Sequence, residues 1–280
     1  MEGSFLREFI LRSLAEDIGD GDHSSLACIP PEATGKAKLL IKEKGVLAGI
    51  RAAIEIFSAV DADLKTDILI NDGAEVNPGD IAFLISGHQQ SILKAERLTL
   101  NVVQRMSGIA TSTHEYAEKL KGLKTKILDT RKTTPGFRYL EKEAVRIGGG
   151  MNHRMGLYDM IMLKDNHIDY AGGIERAILS TRDYLSKNNL NLKVEIEARN
   201  LEDVRMILSV GMVDRIMLDN FNVKDTLTAV NEIAGSCETE SSGGISLATI
   251  RSYAECGVDY ISVGALTHHI KSLDMSLKAF

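Results

Sequence analysis

The sequence predicts the α/β class: an α+β domain over residues 1–107, then an incomplete, TIM-barrel-like α/β barrel of fewer than eight strands over residues 108–280. Three observations carry this expectation. From about residue 108, short β-rich runs alternate with helical patterns at the spacing of βαβ units, the signature of a parallel sheet with covered faces. Before residue 108 the order is largely non-alternating. Each β-rich run of the second part also ends on charged or small polar residues, and barrels gather such residues at the mouth formed by their βα loops.

In the first part, Phe5, Leu6, Phe9, Ile10 and Leu14 follow a helical period behind a capping Ser4, up to the turn Gly19-Asp20-Gly21-Asp22. A strand at KAKLLIK, a helix from Arg51 to Val60 and strands at LKTDILI and DIAFLIS follow. Asn71-Asp72-Gly73 and Asn77-Pro78-Gly79 punctuate them as turns. Gln89 to Met106 reads as a helix leading out of the domain, and a separate helical pattern opens the second part. There the strands are KTKILDT, MIMLKD, LKVEIEA, DRIMLDN, CETESSGG and DYISVGA, with helices between them, and a last helix is expected to pack back on the N-terminal domain.

The six strand ends carry Asp129-Thr130-Arg131-Lys132, Lys164-Asp165, Glu195/Glu197, Asp219-Asn220, Ser241 to Gly244, and Gly264. An open doubly wound sheet would scatter these sets along a line, whereas a barrel points them at one site. The chain is acidic, with 33 Lys+Arg against 39 Asp+Glu, a balance that excludes a general nucleic-acid surface. Yet Arg131 to His167 holds seven Lys/Arg against four acids, a local excess of three positive charges. Arg138, Lys142 and Arg146, spaced i, i+4, i+8, read as a solvated helix face. Arg131, Lys132, Arg154 and Lys164, with His153, supply donors for at least two carboxylates or phosphates, arginine as a bidentate fork and lysine as a point charge.

Glu197 and Asp219 end successive strands and suit magnesium, ribose hydroxyls or both. Glu195 shares the direction of Glu197 by period and is expected to hold a nearby lysine. Ser242-Gly243-Gly244 and Val263-Gly264-Ala265 are small-residue loops after the last two strands, a common phosphate position in barrels. Gly148-Gly149-Gly150 follows a helix rather than a strand, so it is no dinucleotide fingerprint. No apolar run approaches the ~18 residues of a membrane span, and Arg7, Glu8 and Arg12 break up any signal-peptide core. Cys28, Cys237 and Cys256 form no C-x-x-C pair, which points away from a disulfide scaffold and towards the cytoplasm.

Asp129 to His167, DTRKTTPGFRYLEKEAVRIGGGMNHRMGLYDMIMLKDNH, closely resembles the quinolinate phosphoribosyltransferase family, also called nicotinate-nucleotide pyrophosphorylase (carboxylating), the NadC type. The likeness continues through AEDIGDGD, ERLTLNVVQRMSGIAT, VEIEA, IMLDNF, SSGGIS and VDYISVGALTH, in order over nearly the whole chain. It implies an α/β-sandwich N-terminal domain before the barrel. It also implies transfer of phosphoribosyl from phosphoribosyl pyrophosphate to quinolinate with decarboxylation, giving nicotinate mononucleotide, pyrophosphate and carbon dioxide in NAD biosynthesis, with Mg2+ required.

By motif, the resemblance gives Arg131, His153, Arg154 and Lys164 to the quinolinate carboxylates, with Thr130 and Lys132 completing that pocket. It gives Glu197 and Asp219 to the ribose and its metal, and Ser242 to Gly244 with Val263 to Ala265 to the 5-phosphate. Lys132, Lys164, Glu197 and Asp219 form the catalytic set. Arg97, in E-R-x-x-x-N, resembles an arginine that one subunit lends to its partner, which requires a homodimer or larger homo-oligomer. SVGMVDRIM is one residue longer than the family pattern. The rivals are a phosphoribosyltransferase for nicotinate or another acidic base on the same scaffold, a Schiff-base aldolase using Lys164, and a non-catalytic phosphosugar-binding barrel. The paired basic blocks favour a dicarboxylate, because a monocarboxylate would leave several cations unpaired.

Overall fold

Helix α1 (Glu2–Ile18) is already formed upstream of Ser4, so it does not start at the expected cap. In this computed structural model, which describes residues 2–280 with side chains from residue 5, the side chain of Ser4 lies outside the described residues. Helix α2 (His23–Cys28) starts where the Asp22 carboxylate accepts the Ser25 N–H. Then come β1 (Thr34–Ile41), β2 (Gly45–Val46), α3 (Ile50–Val60), β3 (Lys65–Ile68), β4 (Glu75–Val76), β5 (Ile81–His88) and α4 (Gln89–Lys119). The second part runs β6 (Lys126–Leu128), α5 (Arg138–Ile147), β7 (Ile161–Leu163), α6 (Asp165–Ala171), α7 (Ile174–Lys187), β8 (Val194–Ala198), α8 (Leu201–Val210) and β9 (Arg215–Asp219). It closes with α9 (Val223–Ile233), β10 (Glu238–Ser242), α10 (Ile250–Glu255), β11 (Tyr260–Ser262), α11 (Ala265–His268) and β12 (Met275–Ala279).

These elements form two compact units. The first takes residues up to 114 with 133–149 and 266–280, and the second takes 115–132 with 150–265. The first unit is built on an antiparallel sheet in the order β12-β1-β5-β3. Along β1 one face is buried through Ala37, Leu39 and Ile41. Helix α3 buries Ile50, Ala53, Ile56 and Phe57, and Phe57 meets Phe83 of β5 edge-on at 5.8 Å.

Three expectations need correction here. The last element is the strand β12, not a helix, because Leu273, Met275 and Leu277 are buried at a period of two. The two helices expected on either side of residue 108 are one helix, α4. Gly108 sits within it because a Cβ there would lie 2.2 Å from the Lys271 carbonyl oxygen. The basic face of α5 is not uniformly solvated: Arg146 is exposed, but Lys142 is buried among the apolar residues Leu140, Ala144 and Val145.

The second unit is a six-stranded parallel sheet in the order β6-β11-β10-β9-β8-β7. A doubly wound sheet would reverse direction part-way. This one runs through β7 to β11 and meets β6 at the far side, which is the winding of a barrel. No β6–β7 pairing closes it among the described residues. The open side of β6 carries a single bridge from Leu128 to Met151. Val194, Ile196, Ile216, Leu218 and Ile261 face the helices as a dry core, and α8 and α9 start at Asn200 and Asn222, which accept the N–H of Asp203 and Asp225.

At the opposite, N-terminal end of the strands, Asp259 ties three of them together. Its carboxylate pairs with Lys124 at 2.9 Å and accepts both the Thr239 N–H and its hydroxyl. Burial opposes its charge, but Lys124 and Thr239 outweigh it and hold the carboxyl below its ordinary value. A lowered folded pKa gives stability that is present above the unfolded carboxylate range and is lost as pH falls through the folded value. Asp259→Asn is therefore expected to lower the melting temperature at neutral pH, with the gap to wild type closing below about pH 4. Thermal melts across pH 3–7 check this.

Candidate active site

Every residue of β8 is buried, yet two of the five are glutamates. Strand alternation puts Glu195 and Glu197 on one face, with Val194, Ile196 and Ala198 on the other. The same period aligns Arg215 and Asp219 on β9, and Glu238, Glu240 and Ser242 on β10, in the register Glu195↔Arg215 and Ser242↔Asp219. The polar face thus has two levels. Glu197, Asp219 and Ser242 stand at the C-terminal ends, and Glu195, Arg215 and Glu240 lie beneath them.

On the upper level, the Lys164 ammonium lies 2.5 Å from Glu197 Oε1, while Oε2 accepts the Asp165 N–H at 3.2 Å. Glu197 is only 6% exposed. Burial, then the charge of Glu197, push the Asp219 carboxyl above its ordinary range, and Asn220 Nδ2 donates to it at 2.7 Å. Two carboxylates therefore face one cationic side chain, an arrangement that favours a further cation or a set of hydroxyl donors.

The basic residues come from the ends of β6 and β7 and the loop before β7. Lys132 donates its N–H to Thr130 Oγ1 at 3.0 Å, shaping the turn that carries Arg131. Asp129, fully buried, accepts the His153 N–H at 2.9 Å and the Asn152 side chain at 2.6 Å, so the end of β6 holds the segment before Arg154. Arg154 is buried and donates to the Met160 carbonyl at 3.1 Å. Burial, then the neighbouring charge of Arg131, hold its guanidinium below its ordinary value. Two guanidinium groups that repel one another in a half-dry setting are a site for an anion.

After β10, Gly243 and Gly244 both adopt left-handed φ, +95° and +62°. A Cβ on Gly243 would lie 2.1 Å from Asn220 Oδ1, whereas one on Gly244 would meet open space. Gly243→Ala is expected to lower stability by about 1–3 kcal/mol more than Gly244→Ala, since both share the backbone strain and only the first carries the clash. Paired thermal melts of the two variants test it. Val263 is buried and donates to the Leu128 carbonyl at 3.0 Å, and Gly264 and Ala265 follow at the end of β11.

The second unit thus brings together Thr130, Arg131, Lys132, His153, Arg154, Lys164, Glu197, Asp219, Ser242 to Gly244 and Val263 to Ala265. Arg97 is exposed on α4 and belongs to the first unit. Glu195 does not hold a lysine as expected. It faces His153 Nε2 at 3.0 Å and Arg215 at 3.8 Å. His153 Nε2 also lies 3.3 Å from Glu240, and Nδ1 accepts the Arg154 N–H at 2.7 Å. Glu240 and Arg215 were missed from the sequence. The signal was present: charged residues at every second position of ETESS, next to an arginine opening RIMLD, cannot belong to a sheet face that packs on helices.

Two family models cover the chain: quinolinate phosphoribosyl transferase, N-terminal domain, over residues 22–107, and the C-terminal domain over residues 109–278. The chain is 45% identical to quinolinate phosphoribosyltransferase (decarboxylating) 2b, mitochondrial, of Nicotiana tabacum, over 98% of this chain and 82% of the relative. It is equally similar, over the same shares, to nicotinate-nucleotide pyrophosphorylase (carboxylating), chloroplastic, of Arabidopsis thaliana. Among solved structures, NadC from Streptococcus pyogenes matches with a TM-score of 0.92 at 40% identity, covering 97% of this chain and 94% of that one.

Proposed function

The chain belongs to the quinolinate phosphoribosyltransferase family, and on that premise we propose how its strand ends carry the reaction. The enzyme transfers phosphoribosyl from phosphoribosyl pyrophosphate to the ring nitrogen of quinolinate, with loss of the 2-carboxylate, to give nicotinate mononucleotide, pyrophosphate and carbon dioxide. Nicotinate or another acidic base is not favoured as the substrate.

The observation that carries the residue assignment is the placement of the buried Arg154, whose guanidinium is held below its ordinary value by burial and then by the charge of Arg131, in the segment that the end of β6 fixes beside the turn carrying Arg131. These two guanidinium groups, with Lys132 and Thr130 on the same turn, take the quinolinate carboxylates. Lys164 has one arm on Glu197 and stands where a second carboxylate meets the ribose. Ionisation of the pyrophosphate bond leaves an oxocarbenium-like carbon, which needs placement and nearby negative charge more than a nucleophile. Glu197 and Asp219 supply that charge and accept the ribose hydroxyls. The left-handed glycine turn at Gly243 and Gly244 leaves backbone N–H groups accessible to the 5-phosphate, together with Ser242 and the loop Val263-Gly264-Ala265. In the second step the bond from C2 to its carboxylate breaks to release carbon dioxide, the electron pair stays on C2 where the adjacent cationic nitrogen stabilises it, and C2 then takes a proton from water, so the protein need only hold the 3-carboxylate and leave the 2-carboxylate poorly solvated.

The carboxylates also fit magnesium. Their donor atoms are all oxygen, and among the described residues Asp219 forms no ion pair, though the charge of Lys164 reaches it. Glu197 Oε1 is taken by Lys164, so Asp219 would be the main protein ligand. When bound, Mg2+ supplies charge neutralisation to the pyrophosphate. Arg97 is assigned to a partner subunit's site, which makes the working form a homodimer or larger. We place the enzyme in the cytoplasm on its cysteines: Cys28, Cys237 and Cys256 are all free thiols. No helix among the described residues is long and apolar enough to cross a membrane.

The test is incubation with phosphoribosyl pyrophosphate and Mg2+ plus either quinolinate or nicotinate, with products read by mass spectrometry. Nicotinate mononucleotide and carbon dioxide from quinolinate are expected. Turnover of nicotinate alone would overturn the assignment.

A further inference from the structure

Beneath the substrate level, the inner face of the barrel carries charge where barrels ordinarily pack branched aliphatic side chains. Glu195 and Glu240 are wholly buried, and His153 and Arg215 nearly so. Burying each such ion costs several kcal/mol after relaxation, and a well-packed apolar set of similar volume would be at least as stable. The cluster is therefore poorly explained as a stability device, and its connections show a different use.

Arg215 is fixed from three sides. Its guanidinium lies 4.0 Å over the Tyr260 ring, donates to Glu238 through Nε and Nη2, and reaches Glu240 Oε2 at 2.9 Å. Glu240 and Glu195 then converge on His153 Nε2. Nδ1 accepts the Arg154 N–H, so Nδ1 is the unprotonated ring nitrogen and Nε2 carries the hydrogen that faces the two carboxylates. The ring thus stands as a post, its foot in the buried cluster and its head on the Arg154 backbone.

We propose that Glu195, Glu240 and Arg215 are positioning residues for quinolinate: they hold the His153 ring, and the ring holds Arg154 beside Arg131 against their mutual repulsion. This rests on the reading of Arg154 as a quinolinate ligand. His153 itself then acts through Arg154 rather than by contact with substrate. Arg215, already 2.9 Å from Glu240, occupies the place of a cation, so the His153-Glu195-Glu240 grouping is not a metal centre despite its ligand types.

The experiment compares Glu240→Gln, Glu240→Ala and the isosteric Glu195→Gln with wild type, by steady-state kinetics, calorimetric titration of quinolinate and thermal melts. Expected is a rise of at least tenfold in the KM for quinolinate, with the KM for phosphoribosyl pyrophosphate within twofold. Glu240→Gln, which can still accept from Nε2, falls between wild type and Glu240→Ala. Adding Arg154→Ala to Glu240→Ala should produce little further loss of quinolinate affinity. Unchanged quinolinate KM in folded variants overturns the proposal, as do equal losses for both substrates in step with melting temperature, or fully additive losses in the double variant. Stoichiometric metal in the wild type that is lost in Glu240→Gln also overturns it. Wild-type turnover of quinolinate, measured alongside, tests the substrate reading separately.

Discussion

Lys164→Ala is expected to lower kcat/KM by about a hundred- to a thousandfold, the largest effect expected of any single side chain, because losing one preorganised donor at a site where charge develops costs about 2.7–4 kcal/mol. The ammonium is the one cationic side chain 2.5 Å from a nearly buried Glu197. Without it, Glu197 and Asp219 lose the ammonium that offsets their charges. The lysine is itself 45% exposed, so solvent screening limits the accompanying loss of stability to about 1–2 kcal/mol. Lys164→Arg keeps the charge in the wrong shape and should recover part of the activity. The double variant Lys164→Ala/Glu197→Gln should recover stability but not turnover. Initial rates with each substrate varied, alongside thermal melts, separate the two effects.

Arg131→Ala is expected to cost a similar factor in kcat/KM for quinolinate while leaving the free protein as stable as wild type or slightly more so. The opposite signs follow from one feature: Arg154 is buried and further depressed by the charge of Arg131. Removing Arg131 deletes a bidentate carboxylate partner and at the same time relieves the repulsion. A structural arginine would show the reverse, losing stability first and activity only as a consequence. Parallel melts and kinetics decide between them, and a large fall in melting temperature would count against the anion-site reading.

The barrel was legible because its grammar is local. Each of β6 to β11 is a short run with a charged or small residue at or just beside its C-terminal end. Glu197, Asp219, Arg131 and Lys164 were therefore readable one strand at a time, and Arg154 from the basic loop before β7. The buried cluster was not, because Arg215 opens its strand and Glu240 sits mid-strand; only the register Glu195↔Arg215 and Glu238↔Arg215 makes them neighbours. Lys142 misled for a related reason: an i, i+4, i+8 basic stripe shows a face but not what covers it. At α4 the change of pattern near residue 108 read as the end of one helix and the start of another, whereas the helix runs on through Gly108, whose missing side chain admits the Lys271 carbonyl. The terminal strand β12 carried a clear period of two through Leu273, Met275 and Leu277, and its shortness hid it.

That terminal strand has a consequence for how the chain is made. Strand β12 pairs with β1 from Ala37↔Ala279 to Ile41↔Met275, a separation of roughly 240 residues that loop-closure entropy makes slow to form. On the ribosome, β1 emerges early and must wait, with one hydrogen-bonding edge open, while the whole second unit is synthesised. That unit is almost contiguous in sequence and can fold first. The first unit then completes its sheet only when β12, made after the second unit, becomes available, so assembly of the amino-terminal half waits on synthesis of the barrel.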